Sequence, residues 1–169
     1  MCPPAYLFAA PNGVAGDVTR TDESNVEPAM LVATGGGVFA QAFGIPMKYV
    51  AGGIQQFNGG AEVPGDFAGV LVREVPAISG SIAQGFDDNI PFPDVPQGLI
   101  VRGYVSVKCL TGTPARGGAV FVQIVANGGR TVGSFATTDD GANAIQLDNV
   151  TWATDGKDAD NNAELRIAR

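Results

Sequence analysis

The chain has 169 residues, long enough for one domain with a substantial core, and its 45% apolar content is ordinary for a globular protein. Charged residues are only 16% of it, the formal net charge is −7, and the few basic residues are scattered, which argues against nucleic acid or an anionic membrane surface as partner. Histidine is absent and only Cys2 and Cys109 could offer sulfur, so the commonest general base and a structural zinc site are both excluded.

Residues 1–28 read as an extended N-terminal arm. Pro3, Pro4 and Pro11 fix the backbone and remove donors, which disfavours helix. Tyr6, Leu7, Phe8, Val14 and Val26 are too apolar for a free tail, so the arm is expected to dock, either on its own domain or on a neighbouring subunit. Its start lacks a basic region and its apolar run is broken by prolines, so no secretory signal is expected and the chain reads as made in a reducing cytosol. From residue 29 to 169 the pattern is that of a single β domain. Strands are expected over 30–34, 45–51, 54–57, 68–75, 99–110, 119–126, 131–137, 144–150 and 163–168. Val105, Val107 and Cys109 share one face of their strand, and Tyr104, Ser106 and Lys108 the other. In the next strand Val120, Val122 and Ile124 oppose Phe121, Gln123 and Val125, a pattern that expects cover on both sides. Leu165 and Ile167 point one way, Glu164 and Arg166 the other.

The connections are rich in glycine, and "ANGGRT" between residues 124 and 135 is the clearest hairpin signal. The stretch 86–98, with three prolines, is either a functional loop or a plain crossover between sheets. About nine short strands at this spacing indicate an all-β, jelly-roll-like sandwich or barrel.

Motifs that suggest chemistry do not hold together. "TGGGVFAQAFG" at 34–44 lacks both the Gly-Lys-Ser/Thr of a phosphate loop and the βαβ setting of a dinucleotide site. "TDGKDADNNAE" at 154–164 misses the glycine and glutamate positions of a calcium-binding helix-loop-helix motif. It reads as a solvated turn, with Asp155, Asp158 and Asp160 as the one loose cation-ligand candidate. Asp87–Asp88 and Asp139–Asp140 lie in turn-like contexts, and no Ser or Cys has a visible base. Trp152, the single tryptophan, suits a core or rim anchor. No catalytic residue, cofactor site or metal site is expected.

The blocks "GDVTR" at 16–20, "VEPAML" at 26–31, "AFGIPMKYVAGGIQQF" at 42–57, "GVLVREVP" at 69–76, "QGLIVRGYVSVKC" at 97–109, "ARGGAVFVQI" at 115–124, "VGSFATTDDGANAIQLDNVTW" at 132–152 and "NAELRIA" at 162–168 occur in order along nearly the whole chain. Together they resemble the capsid cement, or head decoration, proteins of tailed bacteriophages. The leader "MCPPAYLFAAPN" and the "GGG" before "VFAQAFG" depart from that pattern. The resemblance implies a jelly-roll-like β domain on the outer surface of the virion shell, made in the host cytoplasm, without enzyme activity or cofactor. It implies the major capsid protein and the chain itself as partners, as a homodimer or alternatively a trimer. In that setting the expected contact residues, to capsid or self, are Tyr6, Leu7, Phe8, Asp17, Arg20 and Val26. A carbohydrate- or receptor-binding β module of a virion is the alternative, and a shell or tail-tube subunit a third.

Overall fold

Alternating apolar residues need a sheet that covers one face, and runs apolar at every position need one covered on both. The computed structural model, which describes residues 13–73, 90–93 and 95–168, satisfies both demands. Its strands are β1 (Asn25–Ala29), β2 (Pro46–Val50), β3 (Gly53–Gln56), β4 (Phe67–Val72), β5 (Gln97–Thr111), β6 (Ala119–Gln123), β7 (Phe135–Ala136), β8 (Ala144–Trp152) and β9 (Asn162–Ile167). Short 3₁₀ turns at Thr21–Glu23, Pro64–Asp66 and Gly141–Asn143 lead into β1, β4 and β8. The described residues contain no α-helix.

The fifteen-residue strand β5 organises everything else. Its first half lies between β1 and β4, in an open sheet that continues through β2 to β3. Its second half pairs antiparallel with β9 from Gly103 to Lys108 and parallel with β7 at Cys109 and Thr111. Continuing β7-β6-β8-β9 and back to β5, the second half closes a barrel. The change of sheet falls at Gly103, whose φ is +120°. A Cβ there would overlap Ser24 Oγ and lie 2.6 Å from Ser24 Cα, so both the backbone angle and the close approach require glycine.

Two cores result. The barrel core is formed by Val105, Val107, Cys109, Val120, Val122, Phe135, Trp152, Leu165 and Ile167, with Phe67, Val70, Val72 and Ile100 closing it from the open sheet. The opposite face of that sheet packs a second core of Leu31, Phe43, Met47, Ile54, Leu71 and Leu99. Each such side chain contributes about 1.5–3 kcal/mol by leaving water. The strand covered on both sides is therefore β4, all six residues of which are buried. In β6 Ala119 is exposed and Phe121 half-buried while Gln123 on the same face is fully buried, so the two-sided cover expected there is reached only at the end of that strand.

Two further differences have physical reasons. The expected strand at 30–34 carries a single parallel bridge, Leu31 to Ile54, while the regular pairing lies earlier, in β1. Pro28 cannot donate to a ladder, and four of the five β1 residues are exposed, so β1 is an edge strand without alternation to reveal it. The expected strand 131–137 shrinks to β7 because residues 131–134 form a turn, with the Ser134 N–H donating to Thr131 O. The 124–135 hairpin does form its turn. Asn127 and Arg130 exchange both backbone hydrogen bonds across Gly128 and Gly129, which have φ of 55° and 84°, as a type I′ turn demands.

Candidate functional site

The expected contact residues divide by position. Tyr6, Leu7 and Phe8 lie outside the described residues, as do Asp87–Asp88. Residues 16–19, which fall in the segment expected to be an arm, run along β5, on the side away from β9. Gly16 N donates to Ser106 O, Ser106 N to Asp17 O, and Thr19 N to Tyr104 O, with Val18 bridged to Val105. The segment supplies the strand partner that β5 lacks before β7 begins. It also explains why Ser106, on the outer face of the barrel, is fully buried.

Asp17 and Arg20 act within this chain. The Asp17 carboxylate accepts the Val14 N–H through Oδ2 at 2.8 Å, and its Oδ1 lies 4.0 Å from Arg73 Nε. Arg20 Nη2 donates to Glu164 Oε2 at 3.0 Å, and its guanidinium carbon sits 3.9 Å from the centre of the Tyr104 ring. The hydrogen bond to Glu164 raises the Arg20 pKa further above its ordinary value. Thr19 Oγ1 donates to the other oxygen of the same carboxylate. Glu164 faces outward from β9 yet is buried, because Thr19 and Arg20 close over it. Val26, at 40% exposure on β1, is the member of the described set whose apolar surface is open to a partner.

Beside that segment lies an open groove of roughly 600 Å³. Asp22, Glu23 and Ser24 line it from the turn, Arg102, Gly103 and Tyr104 from β5, and Arg166 from β9. Neither arginine is among the expected contact residues. The outward alternation of Tyr104, and of Glu164 with Arg166, is the signal that points to them. Pairing of Tyr104 with Arg166 across β5 and β9 brings the two strands' charges together.

The acidic motifs serve turns. Asp158 Oδ1 accepts the N–H groups of Asp160 and Asn162, and Asp155 Oδ1 accepts that of Arg116. Asp139 closes onto Gly141 N–H. Asp140 accepts side-chain hydrogen bonds from Gln123 and Asn127, which hold its carboxyl below the usual range. Among the described residues no group of three or more His, Cys, Asp or Glu could hold a metal ion. Trp152 is buried in the barrel core, so it is not a surface platform. The "GGG" segment is a turn closed by Gly37 N to Thr34 O, and no helix follows it to bind phosphate.

A family model described as structural cement protein (E217 gp24/Pam3 gp6) matches residues 3–168. A solved structure titled "The capsid of Myoviridae Phage XM1" superposes with a TM-score of 0.67 at 18% identity, over 99% of this chain and 98% of that one, which is a likeness of fold. No curated protein matches the chain. With a filled barrel, a turn-bound set of carboxylates and a family match from residue 3 to 168, the chain belongs to the phage structural cement protein family and is a capsid-stabilising structural protein.

Proposed function

We propose that the chain binds the outer surface of an icosahedral phage head and clamps neighbouring capsomers of the expanded shell. Its partners are the major capsid protein and a further copy of itself, and it works without catalysis or a cofactor. The observation that carries this reading is the family match from residue 3 to residue 168. The filled barrel core supports it, since Val105, Val107, Cys109, Val120, Val122 and Leu165 have no exposed surface and the barrel holds side chains where a ligand barrel would hold a cavity. A clamp needs contact area and more than one attachment point. A standard interface buries about 1,600 Å² in total. A second contact made by the same molecule gains effective concentration, so individually modest contacts suffice. In this role Tyr6, Leu7, Phe8 and Val26 supply apolar contact. Asp17 and Arg20 anchor the 16–19 segment to β5 and Glu164, and so fix where the arm leaves the domain.

The test is cosedimentation of purified protein with expanded cognate capsids stripped of decoration, followed by heating with and without it. Saturable binding that raises the rupture temperature is the expected result, and no binding to the cognate shell overturns the role. A chain lacking residues 1–12 separates the arm from the domain. It retains Ala15, which is buried, and the Gly16 hydrogen bonds, so it keeps the described fold and binds the shell more weakly than the full chain. Equal binding by the shortened chain refutes the arm's part in the contact.

A further inference from the structure

We propose that the groove between the Thr21–Glu23 turn and the β5–β9 strand pair is a self-complementary contact, and that its occupant is the same groove of a second copy related by a two-fold axis. This rests on the self-association in the proposed clamp and assigns it a surface.

The first observation is that four charged side chains sit in one groove without using each other. Asp22, Glu23, Arg102 and Arg166 are all exposed and line it together. The ion pairs of the described residues are Arg20–Glu164, Lys48–Glu62, Arg73–Asp17 and Arg130–Asp140, and none of them involves these four. Ser24 packs against Gly103 and accepts the Tyr104 N–H through Oγ, which fixes the end of the turn against β5.

The second observation is the sign pattern. The Thr21–Glu23 turn brings two negative charges to the groove and the β5–β9 strand pair two positive ones, so the charges of its lining sum to zero on a chain of net charge −7. Two such chains repel over most of their surfaces, and a locally neutral patch is where they can approach closely. A two-fold axis turns the groove over onto itself. The acidic turn of one copy then faces Arg102 and Arg166 of the other, and the reverse holds at the same time, as an isologous contact requires. A small-molecule pocket is mostly apolar and encloses its ligand. This groove is open and lined chiefly by charged and polar groups, which suits a protein surface.

The third observation is continuity. Asn25 of β1 lines the groove, and the next residue, Val26, is 40% exposed. Among the described residues β1 pairs with β5 alone, and its first residue adjoins the groove. An exposed apolar side chain thus adjoins the charged contact.

The experiment uses the full chain in two charge-reversed forms, Arg102→Glu with Arg166→Glu, and Asp22→Lys with Glu23→Lys. All four positions are exposed, and unchanged thermal melting confirms that each form folds. Molar mass is read by sedimentation equilibrium over a range of concentration and salt. The wild-type chain is expected to dimerise, more weakly as salt rises. Each variant alone is expected to raise the dissociation constant by about a hundredfold or more, because like charges then face each other. An equimolar mixture of the two variants is expected to recover a dimer, identified as the heterodimer by native mass spectrometry. A monomeric wild type, a trimer, variants that still dimerise, or a mixture that stays monomeric each overturns the assignment. Shell cosedimentation of the same proteins is scored separately. Monomeric variants that still bind capsids, more weakly for want of the second attachment, leave the cement role standing. A monomeric wild type whose shell binding is lost in Arg102→Glu with Arg166→Glu would instead place an acidic segment of the shell in the groove.

Discussion

Replacing Gly103 by alanine tests whether the sheet change within β5 depends on that residue. The substituted residue must hold φ near +120°, a region L-residues avoid, at a cost of about 1–3 kcal/mol. Its Cβ would also overlap Ser24 Oγ and stand 2.6 Å from Ser24 Cα, closer than side-chain carbons approach other atoms. Relieving that overlap means moving the backbone of residue 24 or of β5, and overpacking of this kind costs about 1–3 kcal/mol. The two together come to about 2–6 kcal/mol, a large share of the roughly 5–15 kcal/mol that stabilises a typical domain. Urea unfolding followed by Trp152 fluorescence is the assay, since that ring is buried in the barrel core. Gly103→Ala is expected to lower the midpoint by about 1–3 M. Adding Ser24→Gly removes the clash with the hydroxyl but leaves the backbone of residue 24 in the way, so it is expected to restore only part of the loss. A Gly103→Ala chain within about 0.5 kcal/mol of wild type refutes the reasoning, because neither the backbone angle nor the close approach would then matter.

Two further predictions concern buried groups. Burial opposes ionisation of Glu62, but hydrogen bonds from Lys48 Nζ and from the backbone N–H groups of Asn58 and Gly59 outweigh it, so the carboxyl titrates below its ordinary value. A depressed folded-state pKa adds stability that is present above the unfolded value of about 4.3 and is lost as pH falls through the folded one. Glu62→Gln is therefore expected to cost about 1–3 kcal/mol at pH 7 and progressively less below about pH 4, measured by urea unfolding at each pH; a constant difference refutes the linkage. Burial likewise pushes the Cys109 thiol up, and its Sγ lies inside the barrel core. In a Cys2→Ser chain this thiol is expected to react with a chromogenic disulfide reagent only at the rate of global unfolding. Reaction at the rate of a free thiol refutes its enclosure.

Local periodicity made much of this fold legible. The alternation of Val105, Val107 and Cys109 marks the inner face of β5, that of Leu165 and Ile167 marks β9, and the paired glycines mark the 127–130 hairpin. Pairings between distant segments leave no such trace. Nothing local says that residues 16–19 will lie on β5, so the burial of Ser106 and Glu164 could not be anticipated from their outward positions. Nothing local says that one strand serves two sheets, because Gly103 is one glycine among 24 and its role depends on Ser24 lying opposite. The candidate site was legible to the same degree. Asp17 and Arg20, in a polar segment, do have specific charge partners, but those partners, Arg73 and Glu164, lie on this chain. The groove arginines leave no local signature as a pair, because Arg102 and Arg166 are far apart in sequence and meet only through the β5–β9 register.

The shared strand has a mechanical consequence for a clamp. In a protein of two separately folded units, a load applied to one reaches the other through a linker or a noncovalent interface. Here β5 passes unbroken from the open sheet into the barrel, and Ile100 of its first half packs into the core that Val105 and Val107 of its second half also fill. The 16–19 segment is held to the second half by three backbone hydrogen bonds and to β9 through Arg20 and Glu164, while β1, a few residues further along, is held to the first half. A load on residues 16–19 therefore reaches both sheets. Gly103 stands where these loads meet, with Ser24 pressed against it.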